Sequence, residues 1–460
     1  MSKNINEILS RQKKFFRTGA TRSIDFRILQ LERLHSMLEE HETAIIEALR
    51  RDMGKPPVEA YSSEIGMLLA EIRFVKKHLR RWSRPQSVRT MLFHMPASSS
   101  IIREPYGVVC IIGPWNYPFQ LILSPLTGAL AAGNCAVLKP SESAPYSTAL
   151  LSEMIQKYFD EEYIAVITGN ADDASVLVRQ PLDYIFFTGS STTGKKILEA
   201  AAANLVPCTL ELGGKNVCIV DRNTDIPKTA KRIAWGKFFN AGQTCVAPDY
   251  VTVSRDVEDQ LKRELINVLK SFYGDRSNDY ARIINPYHFN RLLSLMENCH
   301  IAYGGKNNRD TLWIEPTLID HVSFSDTVMS EEIFGPILPI ISFDNLSDLL
   351  STLQLKPKPL AMYVFSKNRH TIDRIIKTLS AGTVCINGTF SQMISFTLPF
   401  GGVGMSGMGR YHGFHSFQTF THEKAVLRKS LLFDTRFMYP PYKVALSLIK
   451  KFMRVLFKHV

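Results

Sequence analysis

The chain has 460 residues, 45% hydrophobic and 21% charged, which excludes a disordered or low-complexity polymer for its bulk. That length accommodates about three units of ~150 residues. The net charge of +12 admits nucleic acid, an anionic membrane or anionic ligands as partners, and the location of the excess must decide among them. Seven widely spaced cysteines with no C-x-x-C argue against a disulfide framework and against a zinc site, so no metal is expected. A reducing compartment fits them best. No apolar signal core follows Met1, and the cytoplasm is the expected location.

Leu31, Leu34, Leu38, Ile45 and Leu49 recur at helical spacing and predict a helix over 26–50. Pro56-Pro57 predicts the start of a second helix, running through Ile65, Leu68, Ile72 and Val75 and stopping before Pro85. Residues 87–104 change character. Residues 90–93 and 101–102 read as short strands of a hairpin-like excursion.

From Tyr106 the pattern alternates: strands at 108–112, 136–138, 164–167 and 184–187, with helices ending at Gly133 and near 145–159 and 172–179 between them. Short buried strands alternating with helices imply a parallel sheet. After Leu212 the alternation resumes with strands near 217–220, 250–253, 339–343 and 362–366. Two α/β units joined near residue 212 are the expected architecture.

Chemistry-bearing residues fall in the loops. Pro114-Trp115-Asn116-Tyr117-Pro118 follows a strand, and its two prolines fix the direction of the Asn116 amide, a donor for a developing oxyanion. An ordinary Asn turn reads the same way. Lys139-Pro140-Ser141-Glu142 closes the next strand and suits ribose hydroxyls, Glu142 disfavouring a 2′-phosphate. The stretch from Phe187 to Lys196 sits between strand and helix, where backbone N–H groups meet a phosphate. It nearly matches a P-loop, but Lys196 stands where Ser or Thr would ligate magnesium.

Glu211 precedes the Gly213-Gly214 turn, which permits close backbone approach. Cys245 is a lone thiol in Gly242-Gln243-Thr244-Cys245, between a helix-like run ending at Phe239 and a strand-like run from Tyr250. A thiol so placed reads as a nucleophile or as an inert buried residue. Glu331-Glu332-Ile333-Phe334-Gly335-Pro336 and the glycine-dense run 399–409 complete the set.

Taken together, PWNYP at 114–118, KPSE at 139–142, FTGS at 187–190 with Gly194, ELGGK at 211–215, GQTC at 242–245, EEIFGP at 331–336 and PFGGVGMSGMG at 399–409 resemble the aldehyde dehydrogenases. Their order agrees with that family and they span nearly the whole chain. Arg410-Tyr411-His412-Gly413 and Thr421-His422 look most like the class 3 and fatty-aldehyde branch.

The resemblance implies an α/β fold with a Rossmann-like cofactor domain (1–86 and 105–211) and an α/β catalytic domain (212–404). It further implies a small β bridging or oligomerisation segment (87–104 and 405–440). It implies oxidation of medium-chain, long-chain or aromatic aldehydes to carboxylic acids with NAD, or NADP, in a homodimer. Cys245 would attack the aldehyde, Asn116 and the Cys245 N–H would hold the oxyanion, and Glu211 would activate the hydrolytic water. Cofactor contacts would come from Trp115, Lys139, Glu142, Gly189 and Ser190, and from Gly194, Leu212, Gly213, Glu332 and Phe334.

A CoA-acylating aldehyde dehydrogenase or acyl-CoA reductase is the alternative, with CoA rather than water receiving the acyl group. A non-enzymatic protein that keeps the fold is argued against by Cys245, Glu211 and Asn116 occurring together. Asn387-Gly388 departs from the class 3 pattern, in which an acidic residue often follows the Asn, and this leaves the substrate mouth near 387–396 open.

The C-terminus, 441–460, predicts a basic amphipathic helix. Lys443, Ser447, Lys450, Lys451, Arg454 and Lys458 fall on one face, and Val444, Leu448, Ile449, Phe452, Val455 and Leu456 on the other. It suits peripheral contact with an anionic membrane, a dimer interface or the substrate mouth. No recognition motif accompanies it, so no nucleic-acid partner is expected.

Overall fold

The computed structural model describes residues 2–91, 94–274, 279–432 and 439–456. The expected α/β alternation resolves into two sheets. In the first, five parallel strands run in the order Cys208–Leu212, Tyr184–Gly189, Val108–Ile112, Cys135–Lys139 and Ile164–Val166. Val108–Ile112 and Cys135–Lys139 are buried at every position, as strands covered by helices on both faces must be. The helix Gln120–Ala132 between them is buried along its whole length, which explains its all-apolar and small-residue composition. Four of these strands end at Ile112, Lys139, Gly189 and Leu212, so the loops carrying Asn116, Glu142, Ser190 and Gly213 share one carboxyl edge.

The second sheet has seven strands, in the order His300–Tyr303, Thr317–Asp320, Ile337–Phe343, Tyr250–Ser254, Val217–Val220, Ala361–Phe365 and Thr383–Ile386. Only its first pair is antiparallel.

A three-stranded antiparallel sheet joins Gln86–Val88, Ala97–Pro105 and Thr421–Lys429. The hairpin-like excursion expected at 87–104 pairs as Gln86–Val88 with Ala97–Pro105, the first strand shorter than expected and displaced, the second longer. Thr90 and Met91 are not in a strand, and residues 92–93 lie outside those described. Of the described residues in the stretch 405–440, only Thr421–Lys429 pairs in this sheet. Gly407–Met408 instead adds an antiparallel edge to Cys208–Leu212 in the first sheet. Phe414–Thr419 packs on the helix Gln120–Ala132, with Ser416 and Phe420 against Gly128.

Two further expectations change. The helix predicted over 26–50 is two helices, Ile24–Glu40 and Glu42–Met53, parted at His41. The Leu periodicity runs straight through because both halves bury the same stripe. An additional helix, Ser2–Arg17, buries Ile5, Ile8 and Leu9.

The helix after Pro56 starts as expected at Pro57 but contains a π-turn, Tyr61–Ile65, before continuing as Gly66–Trp82. At the C-terminus the amphipathic helix covers Leu446–Leu456. Lys443 and Val444 precede it, and Lys458 lies outside the described residues. Among the described residues, no helix is long and apolar enough to cross a membrane.

Candidate active site

The loop that carries Cys245 begins where the helix Ile226–Phe238 stops. Asn240 and Ala241 then take left-handed conformations (φ 54° and 52°), and Gly242 follows at φ 74°. A Cβ on Gly242 would lie 2.2 Å from the Gly335 carbonyl, so only glycine lets this loop meet the Glu331–Pro336 turn.

Side chains fix the rest of the loop. Gln243 Nε2 donates to the Asn240 (3.1 Å) and Arg282 (2.9 Å) carbonyls, and its Oε1 accepts from the Ile284 N–H (3.1 Å). Asn216 Nδ2 donates to the Cys245 (2.7 Å) and Ala247 (3.0 Å) carbonyls. The Tyr117 hydroxyl pairs with Thr244 Oγ1 at 2.6 Å. Almost every polar group of the loop is occupied, while the Cys245 side chain stays partly exposed.

Asn116 is 2% exposed, and its Nδ2 donates to the Gln243 carbonyl at 3.0 Å. The amide expected to serve an oxyanion is thus tied to the residue two before the thiol. Glu211 is the penultimate residue of the strand Cys208–Leu212, and both its carboxyl oxygens are buried with no hydrogen-bond partner among the described residues. Burial holds its carboxyl well above the usual range. Burial, then the charges of Glu332 and Glu211, push the Cys245 thiol up to about 12. Both carboxylates are therefore close enough to oppose ionisation of the thiol.

Glu332 is held up at about 8 by burial and by the Asp249 carboxylate. Its carboxyl lies against the Gly213-Gly214 turn, where a Cβ on Gly213 would come within 2.0 Å of Oε2. Around it, Arg291 donates to the Glu332 (3.2 Å) and Ile333 (2.6 Å) carbonyls, and Lys215 donates to the Glu331 carbonyl (2.7 Å). Asp249 pairs with Lys215 (2.6 Å) and accepts from the Ile333 N–H (2.9 Å). Phe334, at φ 49°, meets Trp115 edge-on with ring centroids 5.5 Å apart.

At the neighbouring strand ends, Lys139 Nζ donates to the Pro140 and Gly169 carbonyls (both 2.9 Å) and lies 3.7 Å from half-exposed Glu142. Gly189 closes its strand. Ser190 caps the helix Ser191–Ala202, its Oγ accepting from the Thr193 N–H at 3.2 Å. Gly194 packs inside that helix against Leu212. A cavity of about 650 Å³ is lined by Ser191, Gly213, Gly214, Glu332 and Met405, among others.

Several residues at the site had drawn no notice in the sequence. Lys55, Glu59 and Glu64 reach both loops, as detailed below. Lys237, 1% exposed on the helix before Cys245, is lowered to about 8 by burial, its nearest charges including Asp249, Lys215 and Glu332. Asn387 turns out to be structural: its amide brackets Ser366, accepting from the N–H and donating to the carbonyl (both 2.9 Å). Elsewhere, His300, Asp320 and His321 bring potential ligand atoms within 4.8 Å of one another, but Asp320 already has a cation in Lys262 at 3.3 Å.

Comparison with known proteins gives a consistent answer. A model of the aldehyde dehydrogenase family matches residues 1–426. The chain is 46% identical over 447 residues to 4,4'-diaponeurosporen-aldehyde dehydrogenase of Staphylococcus aureus, covering 96% of this chain and 97% of that one. It is 43% identical over 446 residues to the dimeric NADP-preferring aldehyde dehydrogenase of Canis lupus familiaris, covering 96% and 98%. The solved substrate-bound structure of Staphylococcus aureus AldH superposes with a TM-score of 0.95 at 46% identity, covering 98% of this chain and 99% of that one.

The raised carboxyl of Glu332 carries a stability cost. An unfolded glutamate titrates near ~4.3, so between there and about 8 the folded chain keeps a proton that the unfolded chain has lost, and stability falls as pH rises. Glu332→Gln should therefore exceed the wild-type Tm at pH 8 by about 2–4 °C, with the gap closing toward pH 5.5. A Tm difference that does not vary with pH would contradict that origin.

Proposed function

The chain belongs to the aldehyde dehydrogenase family and oxidises aldehydes with NAD(P); we propose that Cys245 is its nucleophile, Glu211 its hydrolytic base and Asn116 an oxyanion donor. The observation that carries these roles is the bond from the Asn116 amide to the Cys245 loop beside a buried, unpartnered Glu211.

In this reading Cys245 gives its proton to solvent and attacks the aldehyde carbon as the thiolate, the carbonyl π pair moving to oxygen to form a tetrahedral thiohemiacetal oxyanion. Its oxyanion accepts from the Asn116 side-chain amide and the Cys245 N–H, and losing one such donor typically raises a barrier by about 2.7–4 kcal/mol. NAD(P), when bound, supplies the hydride acceptor. Water then attacks the resulting thioester, and ionised Glu211 takes its proton. A buried carboxyl with no partner of its own suits that task, and it favours water over CoA as the acyl acceptor.

The residues present fit the cofactor. The Gly213-Gly214 turn leaves a cradle that a single Cβ would fill, with the Glu332 carboxyl set against it. The first-turn N–H groups of the helix Ser191–Ala202 are anion donors, as helix N-termini are. Lys139 and Glu142 stand at the adjacent strand end for a ribose, and Trp115 and Phe334 offer ring faces.

The substrate reading rests on the family resemblance and on an aromatic cluster that begins next to the Cys245 loop in the chain. Trp235, Phe239 and Phe390 form an aromatic cluster with centroids 5.2–6.0 Å apart, and Phe239 adjoins the Cys245 loop. Such a wall favours medium-chain, long-chain or aromatic aldehydes over small hydrophilic ones. The three-stranded sheet of Gln86–Val88, Ala97–Pro105 and Thr421–Lys429 is the proposed dimer arm, in keeping with a relative that is dimeric. Leu448 (61% exposed) and Val455 (66%) lie beside Lys450, Lys451 and Arg454 on the C-terminal helix, which favours peripheral contact with an anionic membrane of an otherwise cytoplasmic enzyme.

Two tests separate these readings. Cys245→Ala should lose aldehyde turnover by at least about 10³-fold while still binding NAD by fluorescence titration. Turnover retained on every aldehyde tried would remove the nucleophile assignment. Deleting 443–460 should abolish sedimentation with phosphatidylglycerol vesicles but leave kcat/KM for a short aldehyde within about twofold. Unchanged sedimentation would remove the membrane reading.

A further inference from the structure

We propose that the segment Lys55–Glu64 is a positioning element for the reaction, holding the Cys245 loop through Glu59 and the Asn116 turn through the Lys55–Glu64 pair. The proposal rests on Cys245 and Asn116 in the roles given above. It explains how a nucleophile and an oxyanion donor 129 positions apart in the chain keep a fixed relation.

The geometry starts with the π-turn. Glu59 and Glu64 are five residues apart, and at 3.6 residues per turn such a pair faces well apart on an α-helix. The turn Tyr61–Ile65, closed by the Gly66 N–H on the Tyr61 carbonyl, has the i→i+5 spacing that brings such positions toward one face. Glu59 Oε2 accepts from the Asn240 N–H at 2.9 Å. That N–H leaves the end of the helix Ile226–Phe238 at a left-handed residue, a conformation that persists only when its surroundings enforce it.

Glu64 and Lys55 are both 0% exposed and joined at 2.5 Å. Glu64 Oε2 accepts from the Phe119 (3.0 Å) and Gln120 (3.2 Å) N–H groups, the start of the helix that follows the Asn116 turn. A carboxylate there is also favoured by the helix dipole. Lys55 Nζ donates to the Asn116 carbonyl at 3.1 Å and lies 4.2 Å above the Tyr117 ring.

The two arms meet. Asn240 Nδ2 donates to the same Asn116 carbonyl at 3.1 Å and to the Gln243 carbonyl at 3.2 Å. A circuit therefore runs from Glu59 to Asn240, to Asn116, to Lys55 and back to Glu64. It begins and ends on one short segment. A buried ion pair contributes little net stability because its desolvation offsets its attraction. A positioning role gives a reason for this one.

Glu59 is the arm to test, because it is not part of the buried pair. The probe is p-nitrophenyl acetate, an activated ester whose acyl transfer to a thiol needs the nucleophile and oxyanion donors but no hydride acceptor. With the full-length chain, Glu59→Ala should slow the p-nitrophenolate burst about tenfold, since displacements near 1 Å cost about 10²-fold. Glu59→Gln keeps an acceptor oxygen and should restore the burst to within about twofold, with the NAD Kd of both variants within about twofold of wild type.

If Glu59→Ala does not fold, Glu59→Asp, shortened by one methylene, should slow the burst at least about threefold at an unchanged Tm. A wild-type burst rate in Glu59→Ala or Glu59→Asp, or equal losses in Ala and Gln, would overturn the proposal. A burst that survives Cys245→Ala would instead indict the nucleophile assignment.

Discussion

Three acidic groups, Cys245, Glu211 and Glu332, lie near one another, Glu211 buried and the other two partly so, and among the described residues no cation is bonded to any of their side chains. That proximity is the constraint on which the rest of the site depends. Burial alone raises each one, and the charges of Glu332 and Glu211 raise the thiol further, to about 12. In such a place the charged forms are disfavoured, and a positive charge or polar group entering the site would favour them. The proposed thioester at Cys245 needs the same dryness, since water must reach it only where Glu211 would direct it.

The Asn116 amide and the Cys245 thiol are brought together by two loops from different sheets. The Asn116 turn leaves the carboxyl end of Val108–Ile112, and the Cys245 loop precedes Tyr250–Ser254. Neither sheet sets their relation. Side chains do: Asn116 to the Gln243 carbonyl, Tyr117 to Thr244, and Asn240 to the Asn116 carbonyl. The Glu331–Pro336 turn is fixed separately, by Arg291, Lys215 and Asp249. The thiol side and the cofactor side of the site thus have independent supports, which meet where Gly242 passes the Gly335 carbonyl.

What the sequence made legible was local. Strand ends followed by Pro, Gly and a polar residue identify their own loops, so Asn116, Glu142, Ser190 and Gly213 were found in the places they occupy. Glu332 and Phe334 stood out as a carboxylate before an aromatic residue and a Gly-Pro turn, and their roles came from the resemblance. The unread part is the part made by long-range contact. Glu59 and Glu64 lie in a helix where a spacing of five carries no periodic signal, Lys55 lies just before it, and a π-turn leaves no mark in composition. His41 parts two helices that bury one continuous stripe, so the Leu pattern hides the break. Gly407–Met408 is too short to read as a strand, and only its pairing with Cys208–Leu212 takes it from the bridging sheet to the first one.

The central claim is that an acyl group passes through Cys245 and leaves by way of Glu211. Glu211→Gln should preserve the first step and slow the second. Incubated with NAD and an aldehyde, then quenched in acid, that variant should carry a mass increase equal to the acyl group on the peptide containing Cys245. An acyl adduct on another residue, or none while NADH still forms in an amount equal to the enzyme, would contradict the claim.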